Sequence, residues 1–477
     1  MRPGARNSAS KGNHPVTLDL RVAIIGAGPA GIYAGNILNN VVREQGGDVS
    51  IDLFESLPAP YGLIRYGVAP DHPRIKGIVN SLHEMLDAGT IRLIANVEVG
   101  RDISVDELQE HYDAVVFATG AIRDAALDIP GIDLPGSYGA ADFVSWYDGH
   151  PDVPRTWPLE AESIAVIGNG NVALDVARVL AKHPVDLRKT DVPANVYAGL
   201  EASPVTDVHV FGRRGPADVK FTPIELRELG EVPNVDLVVH DEDFIAVDPT
   251  QAPNNQVKIM LRTLESWRGR ESTGASRRLH LHFYHSPVEV LGTDRVEGVR
   301  FQRNEPVPGG AWGEVRATDE FRSYDVQAVY RAVGYFGSPI VGLPFDERRG
   351  VITNEGGRVL GESGEPLQGL YATGWIKRGP VGLIGHTKSD AMETIEHLVA
   401  DASAGALRAP VVADGDAVLA LLDEREVEYS TWDGWLALDA HERSLGETDE
   451  FPRERVKVVP REEQVGISRG ALAASPE

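Results

Sequence analysis

The feature that most limits what this chain can fold into is a strand, glycine turn and helix unit that occurs twice. In RVAIIGAGPAGIYAGNIL the β-branched run from Val22 to Ile25 meets Gly26, Gly28 and Gly31 in GxGxxG spacing, and a helical pattern follows. The first glycine permits the tight turn, the second lets backbone approach a pyrophosphate, and the third lets helix and strand pack closely. The helix N-terminus then offers unpaired N–H groups and a positive dipole end to phosphate oxygens. The alternating run VSIDLFE ends in Glu55, where a second strand should present a carboxylate to a ribose hydroxyl. The second copy, SIAVIGNGNVALDVARVL, sets Gly168, Asn169, Gly170, Asn171 and Ala173 after its own apolar strand, giving GxGxxA. Each copy carries a hydrophobic strand and an amphipathic helix, so two dinucleotides are expected in one chain.

The two units differ at the end of their second strand. VTDVHVFGRR closes on Arg213 and Arg214 rather than on an acid. A carboxylate would repel a 2′-phosphate, whereas a guanidinium holds one through charge-assisted hydrogen bonds, so this site is expected to take NADP(H). The alternative is a solvated arginine pair in a loop. YDAVVFATGA and GLYATGWIKRGP each present a short apolar strand ending in Ala-Thr-Gly, and both resemble the strand-and-turn signature of two-dinucleotide flavoproteins. One precedes the NADP unit and the other follows it. The expected fold is therefore α/β, with two Rossmann-like dinucleotide-binding domains and the NADP domain inserted in a discontinuous FAD domain. Glycines and prolines near both junctions suggest 1–20 as a flexible extension, 21–120 as the first FAD part, 121–333 as the NADP domain, and 334–477 as the second FAD part with a helical tail.

Short alternating runs such as LHLHFYHSPVEVL, VEGVRFQ and YDVQAVYRAVGY read as strands on hairpins that extend the NADP domain. In the tail, AVLALLDERE and STWDGWLALDAHERSLGE read as helices, with Trp432, Trp435 and Leu438 docking them on the body. No run approaches the roughly 20 apolar residues of a membrane helix, and the polar N-terminus lacks a signal-peptide core, so a cytoplasmic protein without membrane insertion is expected. Arg2, Arg6 and Lys11, with no acid before Asp19, weakly imitate an organelle import peptide. The net charge of −25 argues against nucleic acid as a partner. The chain has no cysteine, which excludes disulfide chemistry, thiolate metal sites and iron–sulfur ligation by this chain. No metal site and no oligomeric state is read from the sequence.

The segments YGLIRYGVAPDHPRIKGIV, NVEVGRDISVDEL, VIGNGNVALDVARVL, FGRRGPADVKFTPIELREL and GWIKRGPVGLIGHTKSDAMET occur in this order between Arg21 and Leu398. On them the chain resembles the adrenodoxin-reductase family, including its bacterial ferredoxin–NADP reductase members. The resemblance implies hydride transfer from NADPH to FAD and one-electron transfer to a ferredoxin-type iron–sulfur protein. It implies FAD contacts at Ala30, Glu55, Leu63 and Val99, with Trp375, Gly382, Leu383 and Ile384 holding the isoalloxazine; core packing is the alternative for Trp375. It implies NADP contacts along Gly168–Asn171 and at Arg213, Arg214 and Glu225, with Gly382 beside the nicotinamide.

His72 in APDHP and Glu225 in PIELREL are the titratable candidates brought towards the nicotinamide–flavin junction. Hydride transfer itself needs no acid, so their expected task is positioning the nicotinamide or handling a proton. For His72 the alternative is bracing a proline-flanked turn. Lys377 with Arg378, and Arg268, Arg270, Arg277 and Arg278, are candidate docks for an acidic ferredoxin, set against solvated surface charge. An NADPH oxidase or monooxygenase, in which reduced flavin meets oxygen, and a non-catalytic nucleotide-sensing module are the other functional readings.

Overall fold

The computed structural model describes residues 18–244, 252–308, 312–381 and 384–470. The first 17 residues, most of the expected extension, lie outside them.

Strand β1 (Asp19–Ile25), helix α1 (Pro29–Glu44) and strand β2 (Asp48–Glu55) form the first unit. β1 ends in the unbroken apolar run Val22–Ile25, as expected where both faces of a parallel sheet are covered, whereas β2 alternates up to Leu53 and Phe54. Their sheet has seven strands, in the order 354–355, 358–360, 366–372, 114–117, β1, β2, 92–95. The last five run parallel to one another. The chain thus leaves this sheet after Phe117 and rejoins it more than two hundred residues later.

Between those points it builds a second sheet, all parallel, in the order 137–139, 328–331, β3 (Ser163–Ile167), β4 (Asp207–Phe211), β5 (Arg277–His282), 235–239. Helix α2 (Asn171–Ala181) packs on β4 as the crossover. The expected inserted α/β architecture is present. In each sheet the strand before the glycine turn is flanked by the next strand on one side and a later one on the other. Both glycine loops therefore sit at a topological switch point, where open α/β sheets bind ligands.

Two local expectations need correction. The run RRLHLH forms β5 inside the parallel sheet rather than a hairpin arm, and YDVQAVYRAVGY likewise supplies the parallel strand 328–331. Alternation alone cannot tell a half-buried parallel strand from a hairpin arm. The antiparallel ribbon consists of 285–291, 298–306 and 315–324. A helix over 255–265, capped by the Asn254 side chain, adds an element that those alternating runs did not indicate.

The tail docks as expected. Helix α5 (Trp432–Thr448) buries Trp435 and Leu438, and the Trp435 ring meets Tyr61 edge-on at 5.6 Å. Beneath it Glu442, fully buried, holds both terminal nitrogens of Arg65 at 2.5 and 3.0 Å.

Candidate active site

The two glycine loops share one division of labour. Gly26 and Gly168 have φ of +108° and +143°, and a Cβ on either would strike a carbonyl oxygen, that of Ala118 at 2.6 Å or that of Ala332. These glycines are dictated by the protein's own backbone. The next ones are not: a Cβ at Gly28 would meet only the Gly62 Cα, at 3.9 Å, and one at Gly170 nothing within 4 Å. Gly28 and Gly170 are also the N-caps of α1 and α2, and neither helix has a side-chain cap or an acid in its first turn. Open space therefore faces uncapped N–H groups at both sites, the cradle a pyrophosphate fits.

Glu55, at the end of β2, is buried. It accepts from the Ala27 N–H at 2.8 Å and the Leu57 N–H at 3.1 Å, and lies 3.1 Å from Ser56 Oγ. Burial raises its pKa, while those hydrogen bonds pull the other way. The same carboxyl that can face a ribose thus ties the glycine loop to the end of its own strand. Ala30 follows Gly28 on α1, and the second Ala-Thr-Gly turn comes down on it, since a Cβ on Gly374 would lie 2.7 Å from Ala30 Cβ. Leu63 opens a short helix over 63–66, and Val99 bridges to Ile103. Behind the Gly374 turn, Asp390 accepts from the Gly374 N–H at 2.5 Å and from Thr373 Oγ1 at 3.1 Å.

Trp375 is half-buried and packs on the small cluster of Ala121, Ala141 and Tyr335, as does Val172 at the start of α2. The residue after Gly374 and the helix after the second glycine loop therefore meet on one patch. Gly382 and Leu383 lie outside the described residues; Ile384 opens helix α4 (Ile384–Ser403).

Arg213 and Arg214 are exposed and pair with no carboxylate among the described residues. With Ser286, Asn304, Gly313, Glu314 and Val315 they line a cavity of about 340 Å³. Asn304 Nδ2 donates to the Arg213 carbonyl and to Ser286 Oγ, both at 2.8 Å, which fixes the turn. Cations with no carboxylate at ion-pair distance among the described residues, at the end of the second strand, suit an anionic ligand. Asn169 and Asn171 tie their loop to the next segment: the Asn169 carbonyl accepts from the Lys220 N–H and the Asn171 side chain from the Thr222 N–H, each at 3.2 Å. Thr222 caps helix α3 (Pro223–Gly230) and bonds the Glu225 carboxyl, which is buried and raised in pKa by that burial.

His72, in the chain segment after β2, contacts two helices of the second unit. Its Nε2 lies 2.9 Å from Asp175 Oδ1 on α2, and its Nδ1 lies 2.8 Å from Glu228 Oε2 on α3. Arg178 NH2 stands 2.7 Å from the same Nε2 while holding Asp71 through Nε and NH2 at 2.8 and 2.9 Å. Burial opposes protonation of His72, but the hydrogen bond to Asp175 and the charges of Asp175 and Asp71 outweigh it, and the pKa is raised. His72 also acts on the Glu225 carboxyl, stabilising its charged form. The structure thus brings His72 and Glu225 into one electrostatic group and adds Asp71, Asp175, Arg178 and Glu228, which sequence reasoning missed. The available signal was Asp175 and Arg178, charged residues three apart on a helix with buried apolar neighbours.

The expected basic docks are largely occupied. Lys377 is buried against Asp390 and Glu393 at 3.2 and 2.5 Å, Arg278 holds Asp207 and Arg268 holds Asp241. Arg277 is buried.

No helix among the described residues is long and apolar enough to cross a membrane. Residues 20–192 match the family model of the pyridine nucleotide-disulphide oxidoreductases. The chain is 39% identical to the NADPH-ferredoxin reductase FprA of Mycobacterium tuberculosis over 94% of its length and 99% of that protein. It is 34% identical to the mitochondrial NADPH:adrenodoxin oxidoreductase of Arabidopsis thaliana, over 92% and 93% of the two chains. The solved structure of Mycobacterium tuberculosis FprA in complex with NADPH superposes with a TM-score of 0.87 at 38% identity, covering 95% of this chain and all of that one. With two switch-point glycine loops, a buried ribose-type acid in the first unit and two exposed arginines at the end of the second strand in the other, the chain belongs to the adrenodoxin-reductase family of ferredoxin–NADP reductases.

Proposed function

We propose that this protein is an FAD-dependent ferredoxin–NADP+ reductase that takes hydride from NADPH and delivers electrons singly to a ferredoxin-type iron–sulfur protein. The observation that carries the reading is the asymmetry of the two sites: Glu55 in the first, and Arg213 with Arg214, lacking any carboxylate partner among the described residues, in the second. FAD fits the first cradle, held by the α1 N-terminus, Gly26, Gly28, Ala30, Gly31 and Glu55, with Leu63, Val99 and Trp375 around it; the contacts implied at Gly382 and Leu383 lie outside the described residues. NADPH fits the second, with Gly168 to Asn171 at the pyrophosphate and Arg213 and Arg214 at the 2′-phosphate. The domain limits proposed are 21–120, 121–333 and 334–477.

The bound flavin supplies conversion of a two-electron hydride into single electrons. The chain's own residues orient the partners. Trp375 and Val172 pack on one cluster, so the two nucleotide loops keep a fixed spacing. His72 and Glu225 hold charge and protons at the junction of the two units, a positioning role for the nicotinamide. With no cysteine in the chain, electrons leave for an external acceptor rather than a disulfide. The relatives' names supply the acceptor class, a ferredoxin or adrenodoxin.

Anaerobic titration of the yellow protein tests this. NADPH bleaches the flavin rapidly and NADH slowly, and a ferredoxin added afterwards is reduced with return of the yellow colour. Bleaching without passage to any ferredoxin, followed on admission of oxygen by its stoichiometric consumption and hydroxylation of a substrate, would reject it in favour of a monooxygenase.

A further inference from the structure

Four histidines of the second sheet fall outside the reductase reading. In RRLHLH the two-residue period of a strand sends His280 and His282 to one face of β5. The parallel register sets His209 of β4 directly opposite His280. The His209 and His280 rings lie 4.3 Å apart and nearly parallel, and His240, just past the strand 235–239, stacks on His282 at the same distance. His209 Nδ1 and His282 Nε2 are 3.0 Å apart. One ring nitrogen from each of His209, His280 and His282 can be chosen so that all lie within 4.8 Å of one another.

Two properties separate this group from ordinary histidine packing. Asp207 lies 2.9 Å from His280 Nε2, so an Nε2–H donated to it leaves Nδ1 with the free lone pair; carboxylates orient ligating imidazoles in this way. His240 Nε2 is buried with no hydrogen-bond partner among the described residues, although a buried polar nitrogen normally has one. A fifth histidine, His285, is committed elsewhere, to the Phe283 carbonyl at 2.6 Å and the Tyr324 hydroxyl at 2.8 Å.

We propose that His209, His280 and His282 form a site for a divalent transition ion that favours imidazole nitrogen, Zn2+ foremost. A tetrahedral ion with Zn–N of about 2.0 Å needs nitrogens about 3.3 Å apart. The His209–His282 pair, at 3.0 Å, is already close to that spacing, and a His280 nitrogen lies within 4.8 Å of both. An imidazole that carries its proton on one ring nitrogen offers the lone pair of the other, as His280 does at Nδ1 when its Nε2–H is donated to Asp207. The site adjoins the nucleotide arginines, since the Gly212 N–H donates to the His282 carbonyl at 2.8 Å immediately before Arg213.

The test uses untagged, chelator-treated holoprotein titrated calorimetrically with ZnCl2, and its outcome is independent of the reductase reading. One saturable site is expected, weakened more than about tenfold in both His280→Gln and His209→Gln. Cu2+ loaded at one equivalent should show nitrogen superhyperfine structure in its EPR spectrum, with fewer nitrogens in either variant. Absence of saturable binding, or binding and spectra unchanged in two variants that retain the native circular dichroism, would overturn the proposal.

Discussion

His72 Nε2 lies 2.9 Å from Asp175 Oδ1, and this contact joins residues 103 positions apart: a proline-flanked turn following the first nucleotide unit and the helix leaving the second glycine loop. A residue that belongs to both units at once is placed to set their spacing.

Replacing His72 by Gln should therefore slow flavin reduction by NADPH by up to about a hundredfold, the scale of a misplaced positioning group, while the Kd for NADPH changes far less. Stopped-flow bleaching against NADPH concentration separates the two, and an unchanged limiting rate would remove His72 from the reaction.

The same residue sets a pH dependence. Its folded pKa is raised, so the stability it contributes is complete below its ordinary value of 6.5 and is lost as pH climbs through the higher folded value. Thermal melts from pH 6 upward should show a decline that is shallower in the His72→Gln protein. Parallel curves would show that another group titrates.

Arg213→Gln and Arg214→Gln should each weaken NADPH by about 1.5–3 kcal/mol, the worth of a charge-assisted hydrogen bond, and leave NADH almost unaffected. The ratio of kcat/KM for the two nucleotides measures this directly. Equal losses for both would mean that the arginines support the fold rather than the 2′-phosphate.

Gly28→Ala and Gly26→Ala should fail in different ways. A methyl group at Gly28 has room in the protein, so the apoprotein Tm should hardly move while FAD retention falls. At Gly26 the positive φ and the Ala118 carbonyl make alanine costly by about 2 kcal/mol or more in apoprotein and holoprotein alike. Chemical denaturation with and without added FAD distinguishes the two.

Glu442→Ala should lower stability by about 3–5 kcal/mol, because it strands the Arg65 guanidinium in the interior. The tail, docked through that pair and Trp435, should then become protease-sensitive first. A global melt with no early loss of the tail would contradict this.

Much of the molecule is legible along the chain because it is written in local terms. Turn glycines, strand periodicity and the acid or arginine at a strand end act within a few residues, so both nucleotide units, their asymmetry and the inserted order of domains follow from RVAIIGAGPAG, Glu55, GNGN, FGRR and the two Ala-Thr-Gly turns. What the sequence could not decide is what touches what across long separations. The partners of His72 at Asp175 and Glu228, the burial that removes Lys377 from the surface, the parallel place of β5 and the meeting of His209 with His280 and His282 all depend on which strands become neighbours. That pairing is chosen by burial of apolar faces over the whole chain, and no window of sequence contains it.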